Sequence, residues 1–281
     1  MKLVRYGAAG SEKPGLIDAS GQLRDLSGQI GDLAGDAFSP AGLAKLAALD
    51  AAKLPAVSGS PRLGSPVGGS PKFIAIGLNF ADHAAESNLP IPTEPIVFMK
   101  ANNALCGPND DVEKPRGSTK LDWEVELAVV IGTRAKYVSE ADALKYVAGY
   151  AVCNDVSERN FQIERGGNWT KGKSHDTFGP LGPWLVTADE VGDVQKLDMW
   201  LDVNGQRRQT GSTATMIFNV AQIVSYLSGM MTLMPGDVIT TGTPPGVGMG
   251  MKPQPQFLNA GDVMTLGIAK LGEQRQKVVA A

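Results

Sequence analysis

The chain is poor in the residues that build the commonest catalytic centres. It holds two histidines, His83 and His175, and two cysteines, Cys106 and Cys153, in 281 residues. With so few imidazoles, a catalytic zinc site resting on several histidines is excluded. The cysteines lie far apart and form no CxxC pair, which suits reduced core thiols better than a disulfide framework. Cys106, in ALCGPND, has no histidine beside it in sequence to activate a thiol nucleophile. There is no GxSxG elbow and no GxGxxG after a strand, so serine-hydrolase and dinucleotide readings lose their support. A basic excess is missing too: 26 lysines and arginines against 29 acidic residues give a net charge of −3. That balance leaves no electrostatic footprint for nucleic acid. No apolar run approaches a membrane span, and the opening MKLVRYGAAG has no apolar signal core. A cytoplasmic protein that binds neither nucleic acid nor membrane is expected.

Hydrophobic residues make up 43% of the chain, enough to bury one large core or a main domain plus a small one. Residues 1 to about 55 alternate short strand-like runs with the alanine- and leucine-rich segment 40–54, which suits a small amphipathic helix. Residues 55–71 crowd proline, glycine and serine as an exposed connection does. A small N-terminal α/β domain with its linker is therefore expected over 1–70, and a main domain over 71–281. From there strand-like runs dominate: KFIAIGL, IVFMK, DWEVELAVVIG, AGYAVCND, MWLDVNGQRRQ, DVITTG and VMTLGIAKL. Val203-Asn-Gly-Gln206 reads as a hairpin with a type I′ turn, and residues 219–231 as the clearest helix. Without regular strand–helix alternation, the pattern predicts an α+β chain with a mixed, largely antiparallel sheet.

One stretch, Gly167-Asn-Trp-Thr-Lys-Gly-Lys-Ser174, fits the phosphate-binding pattern GxxxxGK[ST]. A working P-loop needs a buried strand before the glycines and a helix after the lysine. Residues 155–167 are too polar for that strand, and Gly179, Pro180, Gly182 and Pro183 forbid the helix. Lys173 therefore needs another explanation.

The most informative element is LDWEVELAVVIG, residues 121–132. As one strand it sends Glu124 and Glu126 to the same side, next to Ala128 and Val130, while both faces look buried. Two unpaired anions there would cost several kcal/mol, so a cation must compensate them. The candidates are lysine or arginine partners, or a hard divalent metal taking oxygen ligands. Asp155, at the end of the strand-like VAGYAVCND, offers a third carboxylate and favours Mg²⁺ or Mn²⁺. A second pattern, His83 and Glu86 in ADHAAES, has the spacing of one helical turn. It fits either a surface hydrogen bond or a dyad in which glutamate sets the imidazole tautomer and frees the other nitrogen as a base. The proline-rich NLPIPTEP that follows reads as a mobile lid.

Taken in order, GLNFADHAAES, IVFMKANNALCGP, LDWEVELAVVIG, CNDVSERNFQ, GKSHDTFGPLGP and ITTGTPPGVG resemble the fumarylacetoacetate hydrolase family over roughly residues 70–280. The resemblance implies a β-roll fold, a homodimer, and Mg²⁺ or Mn²⁺ on Glu124, Glu126 and Asp155. It implies that His83 and Glu86 activate water and that Lys173 points at the substrate. It further implies substrate contacts for Lys100, Arg159, Gln162 and Thr243. Asn103 departs from the family, where serine or threonine is frequent. The implied activity is hydrolytic C–C cleavage of a 2,4-dioxo acid, such as an acylpyruvate or a diketo-deoxy sugar acid derived from fucose or rhamnose. Oxaloacetate decarboxylation, ureidoglycolate lysis and a non-catalytic metal-stabilised binding module are the alternatives.

Overall fold

The computed structural model describes residues 1–86 and 90–281. At its centre lies Val125–Ile131, VELAVVI, in which every residue is buried. A run this rich in β-branched residues becomes strand where both faces can be covered. Val147–Asn154 pairs antiparallel along one edge of it, in a register that sets Val125 opposite Asn154. Val238–Thr240 pairs antiparallel along the other edge. The sheet continues through Phe73–Gly77, parallel to Val238–Thr240, to Ile96–Lys100. In the opposite direction it runs through Gly179–Thr187 to Lys2–Tyr6, Lys13–Ile17 and Leu23–Asp25. A second, five-stranded sheet carries the hairpin Asp198–Val203 and Gln206–Ser212. Its turn residues Asn204 and Gly205 both have positive φ, 52° and 74°, as a type I′ turn requires. The helix Val220–Met230 begins at Asn219 with a reciprocal capping box to Gln222. Both sheets are open, and the mixed, largely antiparallel α+β architecture expected from the sequence is the one the chain adopts. Among the described residues, no helix is long and apolar enough to cross a membrane.

Lys2–Tyr6 joins the N-terminal strands to the main sheet by pairing directly with Gly179–Thr187. Two local expectations are corrected. Residues 55–71 are exposed mainly in their first half. Residues 64–68 are buried, and Leu63–Gly64 pairs with Lys2–Tyr6. Residues 121–132 are not one strand either. Leu121–Asp122 pairs with Ser157–Glu158, and the ladder resumes at Val125. Across the break, side chains replace ladder partners: Asn154 Oδ1 accepts from the Glu124 N–H (3.2 Å) and Gln209 Oε1 from the Val125 N–H (2.9 Å).

Candidate active site

Sheet register assembles the carboxylates. Because Val125 faces Asn154, the next residue, Asp155, lies beside Glu124 and donates its backbone N–H to the Glu124 carbonyl (2.9 Å). Glu124, Glu126 and Asp155 are buried, and each offers an oxygen within 4.8 Å of the others. Three cations meet them. Lys173 Nζ stands 2.7 Å from both Glu124 Oε2 and Asp155 Oδ2. Arg159 donates to Glu124 Oε1 at 2.6 Å and to Asp122 Oδ2 at 2.8 Å. Lys100 pairs with Asp155 Oδ1.

Burial opposes charge on every member of this cluster, and the partners decide who keeps it. Burial would raise the Glu124 pKa, but Arg159 and Lys173 hold it far below the ordinary carboxylate value. Burial would lower Lys173, yet Asp155 and Glu124 keep it raised. At Lys100 burial outweighs Asp155, and its pKa is lowered. Glu126 has no such partner. Its Oε2 accepts the Gly242 N–H at 2.8 Å, and among the described residues it meets no cation. Burial, then Asp155 and Glu124, push its pKa well above the usual range. With every group ionised, the buried carboxylates Asp122, Glu124, Glu126 and Asp155 would exceed the buried cations Lys100, Arg159 and Lys173 by one negative charge, the one that burial disfavours at Glu126. A donor set of carboxylate oxygens with one uncompensated anion fits a hard divalent cation, Mg²⁺ or Mn²⁺.

His83 and Glu86 share the short helix Ala81–Glu86, as their spacing predicts. His83 Nδ1 lies 3.2 Å from Glu86 Oε2. Both Glu86 oxygens also accept the Gly246 N–H at 3.1 Å. Burial works against the Glu86 charge, but the His83 and Gly246 hydrogen bonds outweigh it and its pKa is lowered. The Gly246 amide belongs to a segment that follows Val238–Thr240, the strand paired with Val125–Ile131. Thr241 and Thr243 hydroxyls donate to the Leu127 and Val125 carbonyls (2.9 Å each), which aligns Gly242 N with Glu126. Further on, Gly248 and Met249 N–H groups donate to Asp122 at 2.6 and 3.0 Å. Gly246 has φ +101°, and a Cβ there would sit 1.9 Å from the Arg208 carbonyl oxygen.

Both groups open on one cavity of about 640 Å³. His83, Glu86, Glu124, Glu126, Asp155, Arg159, Gln162, Lys173 and Thr243 all line it. Lys100 does not: it is 2% exposed and reaches Asp155 from the protein interior, so the expected substrate contact is corrected to a buried counterion. Thr243 lines the cavity, but its only proton is committed to the Val125 carbonyl, and Gln209 Nε2 donates to its oxygen at 2.8 Å. Lys173 spends two ammonium protons on carboxylates and keeps the third. Gln162 Oε1 accepts from Arg159 (3.1 Å), and its amide N–H₂ has no partner among the described residues. The P-loop lookalike ends in the four-residue helix Thr170–Lys173, with no helix following the lysine. The expected lid over 88–95 falls partly outside the described residues, although Pro90 and Pro92 line the cavity.

Sequence reasoning missed Asp122, whose signal was present. Asp122, Glu124 and Glu126 recur at every second residue, the spacing that had already paired the two glutamates. It also missed Phe98 and Trp169, whose rings meet edge to face with centroids 5.3 Å apart in the cavity wall. No local pattern joins residues so far apart in the chain.

A sheet-borne carboxylate cluster sharing a cavity with a histidine–glutamate pair is the layout of a metal-dependent acid–base enzyme. The sequence matches the fumarylacetoacetate (FAA) hydrolase C-terminal family over residues 72–279, and the chain belongs to that family. A Burkholderia cenocepacia (strain HI2424) protein named as a hydrolase is 64% identical over 277 residues, covering 99% of this chain and 98% of its own. The fumarylacetoacetate hydrolase structure from Exiguobacterium antarcticum is 34% identical, with a TM-score of 0.86 and full coverage of both chains. Maleylpyruvate hydrolase from Sphingobium sp. SYK-6, solved with manganese(II) and pyruvate, is 29% identical, with a TM-score of 0.81 and full coverage of both chains.

Proposed function

We propose that this protein is a divalent-metal-dependent hydrolase that cleaves the C3–C4 bond of 2,4-dioxo acids, releasing pyruvate and a carboxylic acid. One observation carries the reading: the imidazole of His83, oriented by Glu86, opens on the same cavity as the carboxylate cluster. The manganese and pyruvate held by the Sphingobium enzyme support it.

Glu124, Glu126 and Asp155 would hold Mg²⁺ or Mn²⁺. When bound, that cation supplies Lewis-acid polarisation of the substrate's carboxylate and 2-oxo group. With a divalent ion present the cluster carries one net positive charge, which a single substrate carboxylate neutralises. Glu86 accepts the proton on His83 Nδ1, leaving Nε2 to take one from water. The hydroxide oxygen adds to C4. The third Lys173 proton and the Gln162 amide are the uncommitted donors that meet the oxyanion. As the C4 carbonyl re-forms, the C3–C4 electron pair passes to the 2-oxo acid fragment as its enolate. The proton held on His83 returns to C3. Water is thus divided between the new carboxylic acid and the methyl group of pyruvate.

The test follows the enol absorbance of acetylpyruvate, with pyruvate assayed separately, before and after EDTA treatment and metal restoration. Metal-dependent loss of absorbance with equivalent pyruvate supports the reading. Oxaloacetate decarboxylation needs the cluster but no activated water. Unchanged turnover of oxaloacetate by His83→Ala, with no dioxo acid cleaved by the wild type, would replace hydrolysis with decarboxylation.

A further inference from the structure

We propose, resting on the hydrolase reading above, that the acyl tail of the substrate is apolar, an alkyl or aryl chain rather than a polyhydroxylated sugar chain. The strand Ile96–Lys100 is the track that argues this. Alternation puts Ile96, Phe98 and Lys100 on one side of it, spread over about 13 Å at the usual strand rise. Lys100 touches Asp155, and the Phe98 ring centre is 5.4 Å from Lys173 Nζ. Ile96 is 37% exposed and lines the cavity. A substrate anchored by its carboxylate and 2-oxo group at the cluster therefore sends its far end along Phe98 towards Ile96.

What borders that path is apolar. Trp169 stands edge to face with Phe98, 5.3 Å between centroids, at 69°. Its place is secured by a missing side chain: a Cβ on Gly77 would lie 2.4 Å from Trp169 Cζ3. Gly77 is paired with Ile96 in the sheet, so the ring lies against the same track. Ile163 and Met249, 47% and 37% exposed, line the same cavity. Large apolar side chains left open to water inside a cavity mark where a ligand removes apolar surface from solvent. Hydroxyls on the tail would lose hydrogen bonds to water there without recovering them. The remaining lining cation, Lys252, acts electrostatically on Glu86 and so belongs to the dyad side.

The metal-loaded protein is assayed with acetylpyruvate, hexanoylpyruvate and a dioxo acid of the hexanoyl length whose tail carries hydroxyls. Hexanoylpyruvate should exceed both in kcat/KM by about tenfold or more, the scale of discrimination that one or more buried methylenes give. Trp169→Ala should shrink the hexanoyl-to-acetyl preference to less than about threefold, mainly through KM, while Trp169→Phe retains it. A hydroxylated tail accepted as well as the hexanoyl chain, or a preference unchanged in Trp169→Ala, overturns the proposal. If no dioxo acid is cleaved, the hydrolase reading falls by itself. The tail site is then judged by tryptophan fluorescence titration with 4-phenyl-2-oxobutanoate and with pyruvate. Binding of the phenyl compound about tenfold or more tighter sustains the tail site, and equal affinities overturn it.

Discussion

The carboxylate cluster and the His83–Glu86 turn face one cavity but are held in opposite ways. Each cluster carboxylate is fixed by strand register and has at least one buried partner, and Glu124 and Asp155 have a cation on both oxygens. Among the described residues His83 has one side-chain partner, on a helix of six residues that follows the strand Phe73–Gly77. The difference teaches that charge placement here belongs to the sheet, whereas the proposed proton transfer would belong to a local turn. The two can be removed separately.

The largest effect should come from emptying the cluster. EDTA-stripped protein should lose turnover of dioxo acids by at least about a thousandfold and regain it with Mg²⁺ or Mn²⁺. Full activity after stripping, with metal content checked by elemental analysis, would break the comparison on its charged side. Next comes the dyad: His83→Ala should lower kcat by about a hundredfold or more while calorimetric Mn²⁺ affinity stays within about twofold. Lost metal binding in that variant would show the two regions to be one.

A third effect tests the seam between them. Asp122→Asn removes the charge opposing Arg159 and one of the two carboxylate oxygens, of which Oδ1 accepts from Gly248 and Oδ2 from Met249 and Arg159. Urea unfolding should show a loss of about 3 kcal/mol, because among the described residues the buried guanidinium then keeps only Glu124 as a charged partner. A variant as stable as wild type would sink that account. The smallest effect is in pH. The Glu86 pKa is lowered in the folded protein, so folding favours its ionised form. Its contribution is complete above the unfolded glutamate value and is lost as pH falls through the depressed one. Comparing wild type with Glu86→Gln by thermal melts across that acid window should show a steeper loss for wild type.

The cluster was legible in sequence because its cause is local. Glu124 and Glu126 sit in a run whose apolar character already demanded burial on both faces, and Asp155 closes the next apolar strand. The His83–Glu86 turn was legible as a spacing, but its role was not, since the same spacing serves a surface hydrogen bond. What the sequence hid are agreements between remote segments. Gln209, buried in the hairpin of the second sheet, fills a gap in the central strand and holds the Thr243 hydroxyl. Lys100, although its segment matched the family, turned out to be a buried counterion, because strand alternation aims it at Asp155. Trp169 owes its position to a glycine more than ninety residues earlier. Such pairings carry no periodic signature, so only the folded chain reveals them.

The glycine-rich segment after Val238–Thr240 has a consequence for tolerance to change. Its amides at Gly242, Gly246 and Gly248 each serve a different acid, Glu126, Glu86 and Asp122. None of the three contributes a side chain to the chemistry. A saturation library of residues 242–248 selected for activity should therefore be depleted at these glycines as severely as at the acids they serve. The information that ties the carboxylate cluster, the His83–Glu86 pair and Arg159 together is written in main-chain N–H groups, where no exchange of side-chain chemistry can rewrite it.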